Sequence, residues 1–136
     1  MQAPSTVSST SSASSASSAS SASSASSWTP VCQLNDIVPN TGVCALVNGG
    51  QVAVFRVEAG DGAVDIYAID NIDPHSRAAV LSRGLVGSLG ERVVVASPLF
   101  KQHFDLRTGE CVEAPEKSVG VYASRIEDGL VWVGTA

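Results

Sequence analysis

The chain has 136 residues, a formal net charge of −5, and no Asp, Glu, Lys or Arg before Asp36. Its eight basic residues are scattered, which argues against a nucleic-acid partner because phosphate neutralisation needs grouped Lys and Arg. No apolar run is long enough to span a membrane, and the N-terminus lacks the basic and apolar regions of a secretory signal. We therefore expect a cytoplasmic protein.

The N-terminal residues have the composition of a tail. From Ser11 to Ser27 the sequence repeats Ser-Ser-Ala, which offers no large apolar side chain to offset the entropy of ordering the backbone. The sequence therefore predicts a disordered Ser/Ala-rich tail over residues 1–27. The remainder, residues 28–136, is long enough for one domain with its own core.

Three cysteines favour a reducing compartment. Cys32, Cys44 and Cys111 are odd in number and show no C-x-x-C or C-x-H spacing, so they fit free thiols better than a disulfide framework. Cys44 lies in an apolar run, and we expect it to be a small residue of the core.

The periodicity after the tail is that of short strands. One helical turn is predicted over Asn35–Val38. A hairpin follows, because Asn48-Gly49-Gly50-Gln51 supplies positive φ angles between two apolar runs. The predicted strands are Val43–Val47, Val52–Val57, Val64–Ile69, Arg92–Ala96, Gln102–Leu106, Ser118–Ile126 and Leu130–Val133. Many short strands joined by Gly-rich turns predict an all-β sandwich or small barrel.

One long segment, Asp70–Gly87, interrupts the strand pattern. It is polar and turn-prone at first, then briefly apolar, and it turns again at Ser82-Arg83-Gly84. An irregular excursion of this length either carries a ligand or simply covers the core. The pattern by itself favours a covering loop.

Two segments resemble the Rieske ferredoxin family. They are Ala68–Leu85, which contains Pro74-His75, and Phe104–Glu110, which reads Phe-Asp-Leu-Arg-Thr-Gly-Glu. In that family one loop carries C-x-H and the next C-x-x-H, and these four residues hold a [2Fe–2S] cluster. The resemblance covers roughly residues 30–134 and implies a small antiparallel β-sandwich or barrel.

The resemblance implies that three of the four cluster ligands are absent. It places Asp73 at the first Cys, His75 at the first His, Ser97 at the second Cys and Phe100 at the second His. Asp and Ser are hard oxygen donors and Phe has no donor atom, so the set suits an iron–sulfur cluster poorly. We therefore expect a Rieske-like domain without a cluster, with no catalytic, cofactor-binding or metal-binding residue.

A Rieske-like domain that lacks these ligands is similar to the small subunits of assimilatory NAD(P)H-dependent nitrite reductases. The stretches that carry this similarity include Thr41–Leu46, Gln51–Arg56, Asn71–Pro74, Val80–Leu85 and Ala96–Gln102. The resemblance implies a large partner subunit bearing FAD, a [4Fe–4S] cluster and sirohaem, which reduces nitrite to ammonia. This chain would then be a non-catalytic accessory subunit.

Two other functions stay open from the sequence. The first is an electron-transfer protein that holds a metal through Asp73, His75 and a cysteine. The second is a stand-alone binding module tethered by the tail. A hydrolase is disfavoured although Ser97, His75 and Asp73 are triad residue types, since there is no G-x-S-x-G motif and Pro98 removes a backbone N–H.

Several side chains around the two loops have competing interpretations. His75 either contacts a metal or partner or, as we favour, is a solvent-exposed loop residue. Leu99 and Phe100 either pack the loops together, along with Ala78, Ala79 and Val80, or dock onto a partner.

The basic side chains near the loops are open to two interpretations. Arg77, Arg83 and Lys101 either form a basic group there or are scattered solvated charges, and the second is favoured. We expect Arg83 to make hydrogen bonds across its loop and His103 to be an ordinary surface or half-buried residue.

Overall fold

The computed structural model describes residues 27–135, which form strands and short 3₁₀ turns. The strands are β1 Ser27–Gln33, β2 Thr41–Val47, β3 Gly50–Glu58, β4 Val64–Asp70, β5 Leu85–Leu89, β6 Arg92–Ala96, β7 His103–Asp105, β8 Val121–Glu127 and β9 Leu130–Thr135. The 3₁₀ turns are Leu34–Asp36, Leu81–Arg83 and Pro115–Lys117. Over residues 27–135, no helix is both long and apolar enough to cross a membrane.

The strands form two antiparallel sheets. The larger has six strands in the order β1-β9-β8-β4-β3-β2, and the smaller has the order β5-β6-β7. The larger sheet curls so that its two edge strands share one core, with Val31 of β1 and Val43 of β2 packed against it. The amide nitrogen of Asn48 also donates to Thr135 Oγ1 at 2.8 Å, which ties the β2–β3 turn to the end of β9. The all-β fold is confirmed.

Strand β3 lies between two hydrophobic cores. Val52 and Val54 point into the curl of the larger sheet, and Ala53 and Phe55 point toward the smaller sheet. All four side chains are fully buried, because alternate residues of a strand face opposite sides. The second core packs against the loops that carry the candidate site.

The predicted hairpin is present, and two strands were missed. β1 contains Pro30, which lowers the strand signal, but β1 is an edge strand, where Pro is tolerated. β5 was missed because Gly87 and Ser88 weaken its strand signal, and its pairing with β6 holds it in the sheet. The prediction that Asp70–Gly87 is irregular throughout is therefore wrong, since it contains the 3₁₀ turn Leu81–Arg83 and the start of β5.

The predicted domain boundary differs by one residue from the start of β1. We predicted that the folded part begins at Trp28, and β1 begins at Ser27. Residues 1–26 of the predicted tail lie outside the described residues.

The prediction that Cys44 belongs to the core is wrong. Cys44 is exposed, whereas Val43 and Ala45 pack against the first core. The cause is that the second core covers β3 and β4 but not the face of β2 that carries Cys44, so only one face of β2 is covered there.

Candidate functional site

Two loops that carry the family's ligand positions are closed in the same way. The N–H of Arg77 donates to the carbonyl of Asp73 at 2.6 Å, and the N–H of Lys101 donates to the carbonyl of Ser97 at 3.0 Å. Arg77 and Lys101 both have left-handed backbones, with φ of 64° and 62°. Asp73 and Ser97 thus occupy equivalent first positions of two similar five-residue loops.

A third loop shows that this closure does not depend on ligand residues. The N–H of Gly109 donates to the carbonyl of Asp105 at 2.7 Å, and Gly109 has φ of 80°. The Asp105 carboxylate accepts the N–H of Arg107 at 2.7 Å, as a side chain at the start of a turn commonly does. The loop geometry is therefore encoded by local backbone and side-chain hydrogen bonds.

Asp73 and Ser97 join the two loops directly. The Ser97 hydroxyl donates to Asp73 Oδ2 at 2.6 Å, and both residues are fully buried. Asp73 Oδ1 accepts the N–H of His75 at 2.8 Å, so both carboxylate oxygens have partners. A buried, satisfied hydrogen bond of this kind holds the loops together without any bridging atom.

His75 is half-buried, which differs from the solvent-exposed residue that we expected. Its ring lies 6.2 Å from the ring of Phe104, at an interplanar angle of 57°. Its Nε2 lies 3.6 Å from the sulfur of Cys111. Cys111 is fully buried, and burial raises the pKa of its thiol, which favours the protonated form at neutral pH.

The three residue types of a nucleophilic triad do not form a relay. The Ser97 hydroxyl contacts the Asp73 carboxylate, and Asp73 accepts the backbone N–H of His75 rather than a ring nitrogen. A triad needs the base between the nucleophile and the acid. The geometry therefore agrees with the sequence argument against a hydrolase.

Asn71 is the structural residue of the site that the sequence did not reveal. It is 1% exposed, and its Oδ1 accepts the N–H of Ser82 at 2.8 Å. Its amide nitrogen donates to Gln51 Oε1 at 3.1 Å and lies 3.4 Å from the sulfur of Cys44. Asn71 thus fastens the first loop to the β2–β3 hairpin. A buried Asn directly after an apolar strand was the available signal.

The residues present do not fit the [2Fe–2S] cluster typical of Rieske domains. Such a cluster takes two thiolates and two imidazoles, and the positions implied by the resemblance hold a carboxylate, an imidazole, a hydroxyl and a phenyl ring. The carboxylate and the hydroxyl bind each other at 2.6 Å, which is too close for the two to sit on opposite sides of an iron atom. Cys111 contacts His75 but lies on neither loop.

The tip of the second loop is apolar and open to solvent. Leu99 is 50% exposed and Phe100 is 56% exposed. Their exposure favours the interpretation that they dock onto a partner, and the hydrogen bond between Asp73 and Ser97 joins the loops. Arg77, Arg83 and Lys101 are exposed as well.

The expectations for Arg83 and His103 have different outcomes. The Arg83 side chain makes no hydrogen bond to residues 27–135, so the predicted bond across its loop is wrong. His103 is half-buried, as expected, and its Nδ1 lies 2.5 Å from Glu113 Oε2.

Comparisons with known proteins identify the family of this chain. Residues 27–134 match the Rieske-like [2Fe-2S] domain family. The chain is 48% identical over 104 residues to the nitrite reductase (NADH) small subunit of Salmonella typhimurium, which covers 76% of this chain and 94% of that protein. The chain belongs to the Rieske-like family and, within it, to the nitrite reductase small subunits.

Two further relatives extend this result. The nitrite reductase NAD(P)H small subunit from Erwinia carotovora, solved by NMR, is 48% identical to this chain, with a TM-score of 0.68 over 82% of this chain and 83% of that one. A segment of the nitrite reductase NAD(P)H large subunit of Klebsiella oxytoca is 41% identical over 107 residues. That match covers 79% of this chain and 11% of the Klebsiella protein.

Proposed function

We propose that this chain is the accessory, non-catalytic small subunit of an NAD(P)H-dependent nitrite reductase in the cytoplasm. Its partner is the large subunit, which carries FAD, a [4Fe–4S] cluster and sirohaem and reduces nitrite to ammonia. The proposal concerns the domain over residues 28–136, and the tail predicted over residues 1–27 has no part in it.

The observation that carries the proposal is the hydrogen bond between Asp73 and Ser97. At these two positions a Rieske ferredoxin would need cysteine thiolates, and here a buried hydroxyl and carboxylate satisfy each other instead. Hydrogen bonds within the chain close the two loops and join them, which suits a subunit that supports its partner by contact. The Klebsiella large subunit, which contains a matching domain, also supports a close association of the two parts.

The test is reconstitution of nitrite-dependent NAD(P)H oxidation. The large subunit is expressed alone and together with this chain, and oxidation is measured at equal amounts of large subunit. We expect a stoichiometric complex by size-exclusion chromatography and higher activity in its presence. Equal activity with and without the chain contradicts the proposal.

A second function, electron transfer through an unconventional metal site, rests on the 3.6 Å contact between Cys111 and His75. The third donor suggested by the sequence, Asp73, has both carboxylate oxygens occupied by Ser97 and His75. Visible absorption of the purified chain that disappears in His75→Ala would favour this function over the accessory role.

A further inference from the structure

We propose that the basic, apolar end of the two loops docks onto an acidic surface of the nitrite reductase large subunit. This surface, called the basic tip below, consists of Arg77, Arg83, Leu85, Leu99, Phe100 and Lys101. The inference rests on the proposed function and adds to it the face of the chain that meets the partner.

The apolar part of the tip lies where the two loops and β5 meet. Leu85 is 79% exposed, and it pairs with Ala96, one residue before the second loop begins at Ser97. Leu99 and Phe100 stand at the end of that loop, each at least half exposed. Large apolar side chains grouped in this way, and an aromatic residue above all, are typical of the centre of a protein interface.

Three exposed cations lie on the same two loops and on the 3₁₀ turn that precedes β5. Arg77 and Lys101 occupy the closing positions of the two loops, and Arg83 lies two residues before Leu85. Among residues 27–135, none of the three makes a salt bridge, whereas Arg56, Arg92 and Arg125 do. The chain is acidic overall, with a net charge of −5, yet three of the five Lys and Arg side chains that lack a salt bridge within residues 27–135 belong to the tip.

The acidic side chains near the tip do not cancel this charge at its surface. Asp73 is fully buried, and its two oxygens accept hydrogen bonds from within the loops. Glu113 is engaged by His103, whose backbone N–H and ring nitrogen both contact its carboxylate. The tip therefore presents positive charge around an apolar centre.

The positive charge and the apolar centre of the basic tip favour one class of partner. An acidic rim around an apolar pocket complements the tip, and complementary charge also speeds association. Two copies of this chain that met tip to tip would place like charges opposite each other, which disfavours a symmetric dimer through this face. Since the proposed function supplies one obligatory partner, the large subunit is the occupant that we assign.

The test measures binding of the full chain to immobilised large subunit, with native protein, Phe100→Ser, Leu99→Ser and the double variant Arg77→Glu/Lys101→Glu. Matched controls are Lys117→Glu, an exposed cation outside the tip, and Val38→Ser, an apolar residue that is 65% exposed elsewhere. Circular dichroism and thermal melting verify that each variant folds. Leu99→Ser stands in for Phe100→Ser if the latter does not fold.

We expect Kd to rise about 10-fold or more for the tip variants and to stay within about twofold for the controls. The association rate of native chain, but not of Arg77→Glu/Lys101→Glu, falls steeply with added salt. Tip variants that bind as well as native chain overturn the docking face and leave the proposed function standing. Native chain that does not bind the large subunit contradicts the proposed function itself. Concentration-dependent dimerisation of this chain that the tip variants abolish would assign the tip to a second copy and also overturn the proposal.

Discussion

The Ser97 hydroxyl donates a 2.6 Å hydrogen bond to the Asp73 carboxylate across a separation of 24 residues, and both side chains are fully buried. This bond joins the two loops at the positions where Rieske ferredoxins carry cysteines. It explains how a Rieske-like fold keeps its characteristic loops although its residues do not suit a cluster.

The hydrogen bond between Ser97 and Asp73 should contribute measurably to the free energy of unfolding. Ser97→Ala leaves the buried Asp73 carboxylate without one partner, and we expect a loss of about 1–3 kcal/mol in unfolding free energy. A double-mutant cycle with Asp73→Ala, followed by urea denaturation, should give a coupling energy above about 0.5 kcal/mol. Ser88→Ala is the control, since Ser88 is exposed on β5. Additive effects of the two substitutions would show that the bond does not join the loops energetically.

Gly109 is predicted to tolerate no side chain. A Cβ there would lie 2.1 Å from the carbonyl oxygen of Val119, and Gly109 has φ of +80°. Gly49 has nearly the same backbone, with φ of +82°, but nothing lies within 4 Å of its Cβ position. Both Ala variants carry the conformational strain of a left-handed backbone, about 1–2 kcal/mol, and only Gly109→Ala adds a clash. Thermal denaturation should show Gly109→Ala as clearly less stable than Gly49→Ala, and equal losses would contradict the close approach to Val119.

The raised pKa of Tyr122 should lower the free energy of unfolding at high pH. Burial, together with a 2.7 Å hydrogen bond to Asp70, raises the pKa of Tyr122 to about 12 from the ordinary value of 10. Because the folded state favours the protonated phenol, this contribution is complete below pH 10 and is lost as the pH rises from 10 to about 12. Unfolding free energies measured across this range should fall more steeply for native chain than for Tyr122→Phe. Parallel curves would contradict the raised pKa.

The three cysteines should differ in reactivity. Cys44 is exposed on the edge strand, whereas Cys111 is fully buried, and burial raises the pKa of both Cys111 and Cys32. Since the thiolate is the reactive form, we expect an aromatic disulfide reagent to label one thiol rapidly in native chain and all three after denaturation. Cys44→Ser should abolish the rapid phase. A rapid phase that persists in this variant would contradict the exposure assigned to Cys44.

Local signals in the sequence predicted the parts of the fold that depend on neighbouring residues. Asn48 and Gly49 predicted the β2–β3 turn because both adopt positive φ, and they do so in the structure. Strand β1 was missed because its pairing with β9 at the far end of the chain decides its conformation. The exposure of Cys44 likewise depends on which face of β2 the second core covers, which the periodicity of the sequence does not show.

The candidate site was predicted in its residues but not in its contacts. The family resemblance placed Asp73 and Ser97 at equivalent loop positions, and the structure shows that their side chains bind each other. The role of Asn71 was not foreseen, because its partners Gln51 and Ser82 come from segments on either side of the loop. Contacts of this kind depend on tertiary packing, so the position of Asn71 after an apolar strand could mark the residue but not its partners.

Restoring the family's four ligand residues tests whether the two loops can still hold a [2Fe–2S] cluster. The combined variant Asp73→Cys, Ser97→Cys and Phe100→His recreates C-x-H and C-x-x-H around the native His75. Because the two loop closures rest on backbone hydrogen bonds, we expect this variant to acquire iron and acid-labile sulfide on reconstitution. Failure to do so in a folded variant would show that the loops have diverged beyond their ligands.

The most direct test of the central claim is the iron and acid-labile sulfide content of the native chain, purified without oxygen. We expect a colourless protein with no stoichiometric iron or sulfide, because Asp73 and Ser97 satisfy each other and Phe100 has no donor atom. About two iron atoms and two sulfides per chain, the content of a [2Fe–2S] cluster, would contradict the claim.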